Sequence, residues 1–257
     1  MIQYKKGYEL KNKAKDTLEG KYRGAISVIL LSSAISWMVR FSISTVESNT
    51  LNSIYVMTGS EAALRTTTFV FDIILLLAAV ILGVMNAGIT FYFLKLACGQ
   101  PFSVRDLFYG YKTDSKKILS IAAAMVSCEA ICLWPCQHLA QNYFSSRELS
   151  WLIYALIALV TGLCIYIPVS LGIAMSFYLM FDFPQKSGKE TLVLCWRLMK
   201  GKRLRLLWLD LSFLPLMLLC VLSFGIGFLW LQPYMQMTYT FFFLDMMNPG
   251  VPYSNRP

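Results

Sequence analysis

The chain carries one histidine, and only 14% of its 257 residues are charged. A single imidazole leaves few groups able to serve as a general base near neutral pH. No phosphate-cradling GxxxxGK[ST] loop, HExxH pair, GxSxG elbow with triad partners or paired-carboxylate arrangement is present, so an enzyme is the least supported class. No CxxC pair occurs among the seven cysteines, which removes the usual zinc and dithiol redox spacings. No nucleic-acid recognition module is visible either, and a nucleic-acid partner is set aside despite a formal charge of +9. Nothing in the sequence asks for a cofactor.

What the chain does have is apolar residues, 57% of the total, with a mean hydropathy of +0.57. That excludes an ordinary soluble domain. A bilayer core about 30 Å thick requires roughly 20 apolar residues per spanning helix. Such windows run over residues 25–43, 69–94, 118–139, 151–181 and 204–247. The last is too long for one helix and is broken by Ser223-Phe224-Gly225-Ile226-Gly227, so it reads as two helices joined by a turn near the interface. The expectation is an all-α, six-span transmembrane bundle. A polar, basic segment precedes the first window and no small-residue cleavage site follows it, so that span reads as retained. Trp37, Trp134, Trp151 and Trp230 are expected near one interface, with Trp196 and Trp208 near the other.

The positive charge is unevenly placed. Of 23 basic residues, seven lie in 1–24, five in the loop after the second span and seven in the loop after the fourth, and Arg256 lies in the tail. The opposite loops hold Arg65 and Arg147, while Arg40 sits at the far end of the first span. Basic residues collect on the cytoplasmic side, so both termini and the two basic loops are expected there. The same charge would attract anionic lipid headgroups. The connection 44–68, rich in Ser, Thr and Asn, reads as a solvated loop.

Three cytoplasmic segments share a pattern. SGKETLVLCWRLMKG opens on Ser187 and Glu190 at capping-box spacing and closes on Gly201, and SVRDLFYG repeats this with Ser103, Asp106 and Gly110. Leu192, Cys195, Trp196 and Met199 share one helix face, as do Leu10, Ala14, Leu18 and Tyr22, with Gly20 between the last two. These stripes read as interfacial amphipathic helices lying on the membrane. Each return span ends in a similar string, TFYFL (90–94), SFYLMFD (176–182) and TFFFLD (240–245), with Gly83, Pro168 or Pro233 seven or eight residues earlier. The implied organisation is a single membrane domain built as a threefold repeat of hairpins. An amphipathic segment 1–24 precedes hairpin 1 at 25–94; a loop helix and hairpin 2 occupy 95–181, a loop helix and hairpin 3 occupy 182–247, and 248–257 is a cytoplasmic tail.

KAKDTLEGKYRGAI, RDLFYGY, CWRLMKGKRLRLLWLDLSF and GIGFLWLQPY, in this order, resemble a bacterial integral membrane family known as domain-of-unknown-function family 975. Nearly the whole chain takes part, with Cys195 standing where that family usually has Ser. A looser likeness extends to the membrane domain of some glycerophosphodiester phosphodiesterases, without their catalytic domain. The resemblance implies a multi-pass protein of the bacterial cell membrane and carries over no catalytic residue.

Two features could hold chemistry. Cys128, Cys132 and Cys136 fall on one helix face with His138 beyond them; soft thiolates there could bind Cu(I) or Zn, but small residues at that spacing more often serve close helix packing. Glu129 lies midway through the third span, where an acid is expensive and faces the bundle interior by default, either as a proton or cation relay or as an interhelical contact with Thr161. Arg40, Asp72, Asp210 and Asp245 read as span-end residues that snorkel or cap. A Gly or Pro at matching places in all three return spans points to a shared central site. Three roles are compatible with this chain: a non-enzymatic regulator, scaffold or envelope-associated component, with a protein partner or self-association; a small permease with a site near Glu129; or a lipid-handling protein.

Overall fold

The computed structural model describes residues 4–112, 115–146 and 148–248, with backbone alone for 144–146. Among them every regular element is helical. After α1 (Gly7–Leu18), α2 (Tyr22–Thr58) and α3 (Glu61–Ala97) form a long hairpin. A 3-10 turn (Val104–Phe108) and α4 (Tyr109–Lys112) lead into the hairpin of α5 (Ser115–Ser146) and α6 (Leu149–Ile173), which α7 (Ser176–Asp182) extends. The chain closes with α8 (Gly188–Leu198), α9 (Arg203–Leu211), α10 (Leu214–Leu222) and α11 (Phe228–Met247).

Five stretches are long and apolar enough to cross a membrane: Tyr22–Thr58, Glu61–Ala97, Ser115–Tyr143, Leu149–Asp182 and Arg203–Leu222. Their outer faces leave large apolar side chains uncovered, Ile131, Ile157 and Leu218 among them, a surface that water would not tolerate and lipid does. The sixth expected span, α11, is not one of these five. It carries Gln232, Gln236, Thr238, Thr240 and Asp245, and most of its second half is buried among other helices. A helix wrapped by protein need not be as apolar as one facing hydrocarbon.

The connection 44–68 is not a loop. Helix α2 runs through it to Thr58, the chain turns at Gly59 (φ +57°), and Ser60 caps α3 by accepting the Ala63 N–H. Hydroxyls of Thr45, Thr50, Ser53, Thr58, Thr66 and Thr67 each donate to the carbonyl four residues back. Polar side chains that satisfy themselves on their own helix do not interrupt it. At 37 residues each and about 1.5 Å per residue, α2 and α3 are roughly 55 Å long and outreach a bilayer core.

The buried core lies at the end of the bundle where α1, the 3-10 turn and α8 meet the span ends. Leu10, Ala14 and Leu18 of α1 are fully covered, and α1 packs on α11. Thr191, Cys195 and Met199 of α8 are likewise buried, and α8 packs on α5, α6 and α7. Much of the two stripes expected to rest on lipid is thus covered by protein, while Leu192 and Tyr22 are half-buried and Trp196 stays exposed. Both capping boxes form, at Ser103/Asp106 and Ser187/Glu190. Gly20 (φ +74°) and Gly201 (φ +81°) adopt the left-handed conformation of helix ends, whereas Gly110 is helical and is a packing residue against Val84. The three aromatic strings form core as well: Tyr92, Phe93, Tyr178, Leu179, Phe242 and Phe243 are buried, with Tyr178 stacked on Phe243.

Candidate functional site

Pro168 and Pro233 lie inside α6 and α11, and Gly83 inside α3. The residues immediately beyond these three breakers converge on one cavity of about 420 Å³. Asn86, Leu171 and Gln236, each third after its breaker, all line it, and so do Ile89, Ala174 and Tyr239, each sixth. Helix α5 adds Glu129 and Cys128, α7 adds Tyr178, and α9 adds Asp210. The positions three and six residues beyond the three breakers thus share one cavity lining.

Its polar lining is acidic and hydroxylic. Two carboxylates (Glu129, Asp210), two amides (Asn86, Gln236) and the phenols of Tyr166, Tyr178 and Tyr239 face it, without a lysine or arginine. Several of the hydroxyls are already satisfied: Tyr178 and Thr240 share a hydrogen bond of 3.2 Å across α7 and α11, and Thr90 and Ser170 donate to their own helices. Asp210 interacts with the Tyr239 hydroxyl, yet its Oδ1 is buried without a hydrogen-bond partner. A buried acceptor left open costs free energy that a cation or donor in the chamber would recover.

Glu129 is exposed toward open space, and it borders a second cavity. That groove, of about 590 Å³, lies between α2, α3 and α5, with Arg40, Asp72 and Trp134 in its wall. Thr161 is not the partner of Glu129; its hydroxyl donates to the carbonyls of Ile157 and Ala158 at 2.9 and 3.1 Å. The residue of α6 beside Glu129 is Tyr166. Asp72 does not snorkel alone: its Oδ2 lies 3.1 Å from His138 Nε2 and accepts from Trp134 Nε1 at 3.3 Å. The lone histidine is thereby engaged by Asp72.

None of the seven cysteines is joined in a disulfide, and among the described residues no three His, Cys, Asp or Glu side chains gather as a metal ion would need. Cys128, Cys132 and Cys136 are half-buried on α5, the helix that forms a close hairpin with α6. A Cβ on Gly162 of α6 would come within 2.2 Å of the Cys132 carbonyl oxygen, so the two backbones touch there.

Asp210 and Asp245 differ from the span-end role expected of them. Asp210 lines the chamber. Asp245 is 1% exposed and its Oδ2 accepts from Arg205 at 2.6 Å and from the Lys5 backbone N–H at 3.3 Å, so it ties the start of the described chain to α9 and α11. The signal for Asp210 was present in the sequence: an acid inside an apolar window, as for Glu129. Its closeness to the basic run before it obscured that signal.

The family model described as "Protein of unknown function (DUF975)" matches residues 1–248. No curated protein and no solved structure matches the chain.

Proposed function

We propose that this chain, which belongs to the DUF975 family, is a non-enzymatic, six-span protein of the bacterial cell membrane that acts as a small permease for monovalent organic cations. In this reading α11 is the sixth span, and both termini and the three basic segments are cytoplasmic. The three hairpins form a pseudo-threefold bundle, their amphipathic segments at its cytoplasmic end. Support for that symmetry comes from packing: α1 rests on α11, the 3-10 turn on α3, and α8 on α7, so each surface element covers the return helix of the preceding hairpin in cyclic order.

The observation that carries the permease reading is the chamber where the return helices meet, with Glu129 and Asp210 in its wall and no lysine or arginine among its lining residues. Acidic groups inside a membrane protein mark cation pathways by default. Amide and phenol oxygens around them suit an ammonium or guanidinium ion that keeps several hydrogen bonds after losing water.

Purified protein in liposomes, loaded with unlabelled methylammonium and diluted into the radiolabelled ion, is expected to show counterflow above protein-free vesicles. Asp210→Asn and Glu129→Gln should each reduce it at least about tenfold, an effect of roughly 1.4 kcal/mol or more on binding. Counterflow of methylammonium and guanidinium that stays at the protein-free level, or that neither substitution alters, overturns the reading.

A further inference from the structure

Away from the chamber, at the junction of α8 and α9, Trp196, Arg197, Lys200, Gly201 and Arg203 enclose a notch of about 310 Å³. Three cations line it and no acid does, and none of the three forms an ion pair among the described residues. The arrangement is built, not loose. The Arg203 guanidinium stacks 3.7 Å from the centroid of Trp196, and its Nε is buried without a hydrogen-bond partner. Gly172 of α6 backs the pair so closely that a Cβ there would come within 2.4 Å of the Trp196 ring and 3.1 Å of Arg203 Nη2. A guanidinium held by stacking with donors still open is suited to a phosphate oxygen, and flanking lysine and arginine add charge.

The surroundings decide the source of that phosphate. Arg203 begins the apolar stretch Arg203–Leu222, so the notch stands at the level where a spanning helix leaves the hydrocarbon. Leu204, next to Arg203 on α9, and Val193, one turn before Trp196 and Arg197 on α8, are largely exposed. A phosphodiester seated among the cations would have its acyl chains beside Leu204 and Val193. We infer that the α8–α9 notch is a binding site for the headgroup phosphate of an anionic phospholipid. This inference is independent of what the chamber carries.

The test is a native mass-spectrometry titration of the full chain in mild detergent with phosphatidylglycerol, with phosphatidylcholine, and with phosphatidylglycerol in the presence of millimolar inorganic phosphate. The wild type is expected to bind one phosphatidylglycerol at least about tenfold more tightly than phosphatidylcholine. Arg197→Gln with Lys200→Gln, both exposed and outside the packed core, should weaken phosphatidylglycerol by about tenfold or more, on the scale of about fivefold per basic residue near a lipid surface. Lys6→Gln with Lys15→Gln, which removes the same charge from exposed positions on the N-terminal segment, should change it by less than about twofold. An equal loss in both double variants would reduce the effect to diffuse surface charge, and no loss in either would remove the site; each overturns the inference. Displacement of the lipid by inorganic phosphate would make this a free-phosphate site and overturns the lipid assignment.

Discussion

Cys195 is buried on α8 against the end of α6, near Met175 and Ser176, and burial pushes its thiol above the ordinary range, a shift only partly opposed by hydrogen bonding and by Arg203. Because the folded state holds that proton more tightly, the unfolded chain releases it first as pH rises past the ordinary thiol value of about 8.5. Stability is therefore lost on the alkaline side, and the sign follows from the folded state binding more protons there. Maleimide at pH 7.5 should modify the exposed Cys98 and leave Cys195 untouched until detergent denaturation. Cys195→Ala should cost about 1 kcal/mol at pH 7 and should flatten the fall in melting temperature between pH 8 and 10. Modification of Cys195 in the folded protein at the rate of Cys98 would contradict this burial. The same scale shows what single residues disclose in a sequence. Glu129 stood out because nothing near it excused an acid in an apolar window, whereas Asp210 follows Arg203 and Arg205 closely enough to read as a helix-end charge. Only the packing of α9 against α11, with Tyr239 beside its carboxylate, separates those readings.

Among the elements, helical periodicity and breakers located most of the spans, and both capping boxes formed where Ser103/Asp106 and Ser187/Glu190 announced them. Periodicity does not say what will cover an apolar stripe. The face of α1 met α11 instead of lipid, and the aromatic strings that end the return helices became core, since both surfaces lie at one end of the bundle and bury each other. The connection 44–68 was misjudged because composition counts Ser and Thr as loop formers without knowing that their hydroxyls will turn back to the helix carbonyls. At the seam between α1, α9 and α11, Asp245 anchors three strands of chain through Arg205 Nη2, which also donates to the Lys5 carbonyl at 2.6 Å. Asp245→Asn leaves a buried guanidinium without its counter-charge and should lower stability by about 3 kcal/mol, while adding Arg205→Met should recover a large part of that loss. Thermal unfolding in detergent would decide, and additive losses in the double variant would show that the two side chains do not act as a pair.

Across the whole molecule, the number of crossings and the cyclic packing bear on each other. Helix α11 sits inside the bundle, contacts α1, α2, α3 and α10, and follows a tight turn in which Phe224 (φ +52°) is 98% exposed and Gly225 has φ +85°. A fully uncovered phenylalanine at the tip of a turn is stable where it can enter the bilayer boundary, and the turn's own polar groups are closed locally by Ser223, which donates to the Cys220 carbonyl and accepts the Gly227 N–H. If the turn lies at the outer face, α11 must return to the cytoplasmic face, since its second half packs on α1, and α1 belongs to one of the three basic segments read as cytoplasmic. Single cysteines introduced into a cysteine-free background report this directly with a membrane-impermeant maleimide on intact cells. Ser60→Cys and Phe224→Cys should label from outside, and Glu19→Cys, Lys200→Cys and Asn248→Cys only after the membrane is opened. Outside labelling at Asn248 together with inside labelling at Glu19 would place the two ends of the α1–α11 contact on opposite faces. The six-span arrangement and the cyclic closure of the three hairpins would then fall together, because α1 can cover α11 only if both meet the same face of the membrane.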